Sequence, residues 1–375
     1  MIYFDNNATT PVDPRVKERI KEVLELFGNP SSLYPIGKKV RDLVEEAREE
    51  VASFIGARRE EIFFTSSGTE ANNWAIKGIL EANPEKDSVL VSSIEHPSII
   101  DLCNYLEKRQ KKVLYIPVDR FGVVDIDFIE KNINERTAIV SVMHANNEIG
   151  TIQPIKEISK ICKKKGVIFH SDAVQTLGKI KVNVEDLGVD LLSGSAHKIY
   201  GPKGAGFLYI RKGTSINPII HGEQERKMRG GTENVSGIIG LGKAVSLMKQ
   251  EMEKSQKSIK ELSQRLIEGL KKIDGIHFNG HPEKRLDSTI SISVEGIDGE
   301  ALLMALSTKD IYVSTGSACS EGKEGPSHVL KAIGLPDELA ESTIRISLGK
   351  FNTPENVDEF LKVFEKMVKE LRVIG

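Results

Sequence analysis

A chain of 375 residues, with 39% hydrophobic and 28% charged side chains, holds enough apolar material for two or three domains of about 150 residues each. Its formal net charge of −2 argues against nucleic acid or an acidic membrane as the main partner, and basic runs such as "KRQKK" (108–112) and "KKK" (163–165) read as solvated helix ends. No apolar run of about 20 residues and no secretory leader pattern is found, and three cysteines do not make a disulfide framework. A soluble cytoplasmic protein is expected.

In chain order, "EIFFT" (61–65), "SVLVSS" (88–93), "TAIVSVM" (137–143), "GVIFHS" (166–171), "VDLLSGS" (189–195) and "GAGFLYI" (204–210) read as strands. Several are apolar almost throughout, as strands covered on both faces of a mainly parallel sheet must be. Helical patterns lie between them. "PSIIDLCNYLEKR" puts Ile99, Leu102, Cys103 and Leu106 on one face, and "IKEISKICKKK" does so with Ile155, Ile158, Ile161 and Cys162. Alternation of strand and helix makes an α/β fold.

Beyond about residue 240 the apolar positions Met248, Met252, Ile259, Leu262, Leu266, Leu270 and Ile273 recur at helical spacing, which predicts a long helix connecting two domains. The remainder of the chain suits a smaller α+β domain: strand-like "STISISVE", helical "GEALLMALST", strand-like "STIRISLG", and a last helix opening at Thr353-Pro354.

The polar residues cluster after the strands, at the edge where open α/β sheets bind ligands. "EIFFT" runs into Ser66-Ser67-Gly68-Thr69-Glu70 and then a helix, a turn suited to phosphate. Neither the P-loop pattern nor the Gly-x-Gly-x-x-Gly dinucleotide fingerprint is present, which disfavours a nicotinamide oxidoreductase. The other strands are followed by Glu95-His96-Pro97, by His144-Ala145-Asn146-Asn147-Glu148, by Asp172-Ala173-Val174-Gln175, and by Ala196-His197-Lys198.

The chemistry that needs these types together is that of pyridoxal 5'-phosphate (PLP). An aldehyde cofactor needs a lysine for a Schiff base, and small residues around Lys198 make room for it. Its ring draws electrons only while the pyridine nitrogen stays protonated, which calls for a carboxylate such as Asp172. His96 can stack on the ring, Asn147 or Gln175 can hydrogen-bond the ring hydroxyl, and Thr69, Ser195 and His197 can hold the phosphate. A non-catalytic scaffold would need neither Lys198 nor Asp172.

Cys103 and Cys162 sit on apolar helical stripes and read as inert core residues. Cys319 differs: "STGSACSEGKEGPSH" has no periodicity, and Gly322, Gly325 and Pro326 mark a loop. A free thiol in a loop is a liability unless it reacts. Arg345 alternates with Ile344 and Ile346 in a strand; it either grips a carboxylate at two points or faces solvent.

The chain resembles the cysteine desulfurases of the NifS/IscS type, within the class V aminotransferase group of fold-type I PLP enzymes. The resemblance runs through "YFDNNATTPVDPRV", "GNPSS", "FTSSGTEANNWAIKG", "EHPS", "NNEIG", "HSDAVQ", "SGSAHKIYGPKG", "RGGTEN", "GSACS" and "IRISLG". It implies Lys198 as the Schiff-base lysine, Asp172 on the pyridine nitrogen, His96 stacked, and Asn147 and Gln175 near the ring hydroxyl. Gly68, Thr69, Ser195 and His197 would hold the phosphate, joined by Thr232 from the other subunit of a homodimer.

Arg345 would bind the carboxylate of L-cysteine, with Asn147 beside it, and Cys319 would accept the sulfur as a persulfide and pass it to an iron–sulfur scaffold or another acceptor. No intrinsic metal is implied, although Cys319 could share a [2Fe–2S] cluster with such a partner. The domains expected are 1–257, binding PLP, with an N-terminal arm on the small domain, and 258–375, carrying the Cys319 loop. Where many relatives have a histidine this chain has Tyr34, which cannot replace its acid–base part near neutral pH and is given no role. The segment from Cys319 to "GPSHVL" resembles the longer-loop branch, which lowers the selenocysteine lyase alternative. A class V aminotransferase is the other alternative.

Overall fold

A computed structural model describes residues 1–315 and 325–374. A two-residue strand, β1 (Ile2–Tyr3), precedes the large sheet. That sheet takes β2 (Ile62–Thr65), β3 (Ser88–Ser92), β4 (Lys112–Ile116), β5 (Thr137–Ser141), β6 (Ile168–Asp172), β7 (Leu191–Ser195) and β8 (Gly206–Ile210) in the order β2-β8-β7-β6-β5-β3-β4. Only β8 runs against its neighbours. The six strands read from the sequence are all present. The seventh, β4, pairs parallel with β3 at the sheet's edge. Its sequence signal is weak because its first residue, Lys112, ends the basic run 108–112, and an edge strand needs less apolar covering.

β9 (Ile276–Asn279), β10 (Thr289–Val294), β11 (Ile311–Tyr312), β12 (Ser314–Thr315) and β13 (Thr343–Ser347) belong to the C-terminal part. Four of them form an antiparallel sheet in the order β12-β13-β10-β9, while β11 pairs parallel with β1. The helix Val235–Leu270 is common to both parts. Its Met248 packs in the large-sheet core, and its Ile259, Leu262, Leu266 and Leu270 pack in the core beneath the small sheet. Among the described residues no helix is long and apolar enough to cross a membrane.

The helical stripes bury as their spacing predicts: Ile99, Leu102, Cys103 and Leu106 on Pro97–Lys108, and Ile155, Ile158 and Cys162 on Ile155–Lys165. Ile161 is only partly buried.

One layer of the large sheet is polar. His170 on β6 lies between Ser141 Oγ of β5, 2.8 Å from Nδ1, and Ser193 Oγ of β7, 2.9 Å from Nε2. Full burial pushes its pKa down to about 3. The unfolded chain therefore takes up a proton below about pH 6.5 that the folded chain refuses, so stability is complete above that pH and is lost as pH falls. Between about pH 6 and 4 the wild type should lose on the order of 1.4 kcal/mol more per pH unit than His170→Gln. Denaturant midpoints at several pH values read the two slopes; parallel slopes would refute a neutral buried imidazole.

Candidate active site

At the end of β2 the chain turns through Ser66 and Ser67 into the helix Gly68–Ala82. Ser67 caps that helix, its Oγ accepting from Glu70 N at 3.2 Å. The N–H groups of Gly68 and Thr69 are left without partners inside the helix. A Cβ at Gly68 would come within 2.8 Å of Val174 Cγ2, so a side chain there would force Val174 to shift. Arg229 fixes the turn by donating to both carboxylate oxygens of Glu70, at 2.7 and 3.0 Å. The helix end faces a cavity of about 260 Å3 lined by Ser67, Gly68 and Thr69 together with residues from four other strand ends.

From β6, Asp172 enters this cavity with 6% of its surface exposed. Its Oδ2 accepts from Asn72 Nδ2 at 2.7 Å and its Oδ1 from Val174 N at 2.9 Å. After β3, His96 begins the helix Pro97–Lys108; its Nδ1 accepts from Ser98 N at 3.1 Å, so the neutral ring carries its hydrogen on Nε2. Burial lowers its pKa.

Lys198 sits on the single turn Ala196–Lys198 after β7 and donates to the carbonyls of Asn7 and Ala8, the latter at 2.7 Å. Its neighbour His197 lies 3.2 Å from Thr9 Oγ1, and burial, followed by the charge of Lys198, pushes its pKa down to about 4.

Gly68, Thr69, His96, Asn147, Asp172, Gln175, Ser195, His197 and Lys198 thus line one cavity, although they come from five separate places in the chain. Arg345 of β13 stands just behind it. Only 2% exposed, it faces inward rather than toward solvent, donating to Asn147 O at 3.2 Å and to Asp5 Oδ1 at 2.7 Å. Both faces of β13 are covered: Ile344 and Ile346 point into the small core, and Arg345 points toward the large sheet's ligand edge. Thr232 is exposed and lines no part of this cavity. Cys319 lies outside the described residues. Tyr34 is exposed and caps the helix Pro35–Ile55 without a side-chain bond.

Asn72, Asn7 and Ala8 were not singled out from the sequence. Asn72 lies one helical turn beyond Thr69, a spacing that could have pointed to it. Asn7 and Ala8 hold Lys198 through backbone carbonyls, which leave no side-chain signature.

The residues present suit a phosphorylated heteroaromatic aldehyde. A helix N-terminus whose glycine leaves little room for a Cβ meets an anion, a fixed carboxylate meets a protonated ring nitrogen, and an amine stands at the wall.

The chain matches the family described as aminotransferase class-V over residues 2–360. It belongs to that family. Among curated relatives, "Cysteine desulfurase IscS" of Methanosarcina thermophila is 50% identical over 99% of this chain and 93% of that protein. "Cysteine desulfurase IscS" of Dictyoglomus turgidum (strain DSM 6724 / Z-1310) is 49% identical over 100% of this chain and 96% of that one. A solved structure titled "NIFS-LIKE PROTEIN" superposes with a TM-score of 0.93 at 43% identity, covering 99% of this chain and all of that chain. The two-part architecture is therefore the fold-type I arrangement of this class-V family, with the large sheet mixed only by β8.

Proposed function

We propose that this protein is a PLP-dependent cysteine desulfurase that converts L-cysteine to L-alanine and supplies the sulfur for iron–sulfur cluster assembly. The observation that carries the reading is the meeting of the Lys198 amine, the Asp172 carboxylate and the Gly68–Ala82 helix end on one cavity, in a chain half identical to a named desulfurase. When bound, PLP supplies an aldehyde for amines and an electron-withdrawing ring.

In this reading, Gly68, Thr69, Ser195 and His197 bind the phosphate, and Asp172 keeps a proton on the ring nitrogen. His96 covers the ring, while Asn147 and Gln175 flank its hydroxyl. Lys198 moves the substrate Cα proton. Arg345 grips the substrate carboxylate, for which its two carbonyl-side and Asp5-side bonds already fix the guanidinium. The Cys319 thiolate attacks the substrate sulfur and keeps it as a persulfide, while the Cβ–S bond breaks and its electron pair stays on the carbon fragment, which takes up a proton to become alanine.

A homodimer completes the site: the Thr232 exposed by one copy adds to the phosphate grip of the other. The division between the PLP-binding part and the part carrying Cys319 is set near residue 257, inside the helix that serves both cores. The enzyme works in the cytoplasm, with a scaffold protein or other sulfur acceptor as partner.

The test is the product balance. With L-cysteine and a thiol reductant, the PLP-loaded protein should release alanine and sulfide in equal amounts. Turnover only with a keto acid would make it an aminotransferase, and strong preference for selenocysteine would make it a selenocysteine lyase. Either result overturns the reading.

A further inference from the structure

Lys179 stands outside the cavity, behind Gln175, and nothing in the proposed reaction uses it. Gly178, in the left-handed region at φ 73°, turns the chain beneath Met248. Gln256 of the helix Val235–Leu270 then holds the Lys179 carbonyl at 2.9 Å. The side chain runs back to the site, where its Nζ donates to Gln175 Oε1 at 2.8 Å and Asn7 Oδ1 at 2.7 Å. Lys179 forms no ion pair among the described residues, and the charged groups that act on it are the cations Lys198 and Arg345. A desolvated lysine facing two cations is costly, so a lysine here calls for acceptors that need its donors.

Both acceptors belong to the site. Gln175 lines the cavity, and its Nε2 donates to Asn7 O at 3.0 Å, the same carbonyl that receives Lys198. Asn7 is fixed in turn, its Nδ2 donating to Asn147 O at 3.0 Å and to Thr289 Oγ1 at 2.9 Å. With Oε1 turned to Lys179 and one N–H given to Asn7 O, the amide of Gln175 is oriented so that its second N–H is free for the cavity.

We propose that Lys179 is a positioning residue: it locks the Gln175 amide with its nitrogen toward the cofactor's ring oxygen and pins the Asn7–Ala8 carbonyls that hold the Lys198 amine. This rests on the PLP reading of the cavity. An N–H aimed at the ring oxygen favours the oxygen's ionised form, so Lys179 acts on the cofactor's protonation without touching it.

The experiment compares PLP affinity, and the pH midpoint of the bound cofactor's visible absorbance, in wild type, Lys179→Met, Gln175→Ala and the double variant. Lys179→Met should weaken PLP binding by about tenfold, the worth of one hydrogen bond to a buried acceptor, and move the midpoint to higher pH. On the Gln175→Ala background the same change should have a clearly smaller effect, because the route through the Gln175 amide is already gone and only that through Asn7 remains. Lys179→Gln, which keeps a donor, should recover part of the loss, and it carries the test if the methionine variant does not fold.

Wild-type affinity and midpoint in Lys179→Met, with only a lower melting temperature, would show a merely structural lysine and overturn the proposal. Fully additive effects in the double variant would do so too. Wild-type protein that takes up no PLP would instead refute the reading of the cavity itself.

Discussion

Lys198→Ala is expected to give a folded protein that releases neither alanine nor sulfide from L-cysteine. Among the described residues lining the cavity, Lys198 is the one lysine. The nearby Lys179 is engaged behind Gln175 and Asn7 and cannot replace it. In the proposed reaction, removing the amine deletes both the group that would bond the cofactor and the base that would move the Cα proton. The loss is on the order of 10^4-fold or more, since general acid–base catalysis alone contributes about 10^2 to 10^4.

The fold should survive that change. Asn7 O keeps its bond from Gln175 Nε2, and Ala8 O opens on a cavity where water can replace the lost donor. Thermal melting of the variant checks folding, while product release and cofactor absorbance check the chemistry. Retained turnover would assign the proton transfer to another group.

Cys319→Ala is expected to abolish persulfide and sulfide while leaving PLP uptake intact, because no other thiol in the chain can take over. The sequence holds three cysteines. Cys103 and Cys162 are buried in the helices Pro97–Lys108 and Ile155–Lys165, and burial pushes both thiols up to about 12. At neutral pH about one part in 10^5 of such a thiol is the reactive thiolate, and buried packing denies it access to substrate. Mass measurement after L-cysteine should therefore show one added sulfur on wild type and on Cys103→Ala, and none on Cys319→Ala. Full sulfide release from Cys319→Ala would remove it from the reaction.

The site was legible because its chemistry sits in side chains that interrupt apolar strands. His96, Asp172 and Lys198 follow "SVLVSS", "GVIFHS" and "VDLLSGS", and a parallel sheet lines up those strand ends without further information. Arg345 was ambiguous because alternation in one strand says nothing about what covers its second face. That face is set by the large sheet's ligand edge, which the strand cannot foresee. β4 was missed where lysines masked an edge strand, and Asn7 and Ala8 where the useful atoms are carbonyls. Lys179 has no distinguishing mark in the sequence, since only packing against Gln175 and Asn7 gives its amine a place.

The segment from β1 to Ala8 joins distant parts of the chain. β1 pairs with β11, Asn6 donates to Ser347 O at 2.9 Å, and Asn7 and Ala8 receive the lysine of the site. The first two of these links span more than 300 positions, and those to Lys198 span 191 and 190. During synthesis the large sheet can close once β8 has emerged, but the contacts that tie the N-terminal segment to β11 and β13 must wait for the last-made strands. Completion of the lysine's seat is thus expected late in the life of the chain, when both ends have met.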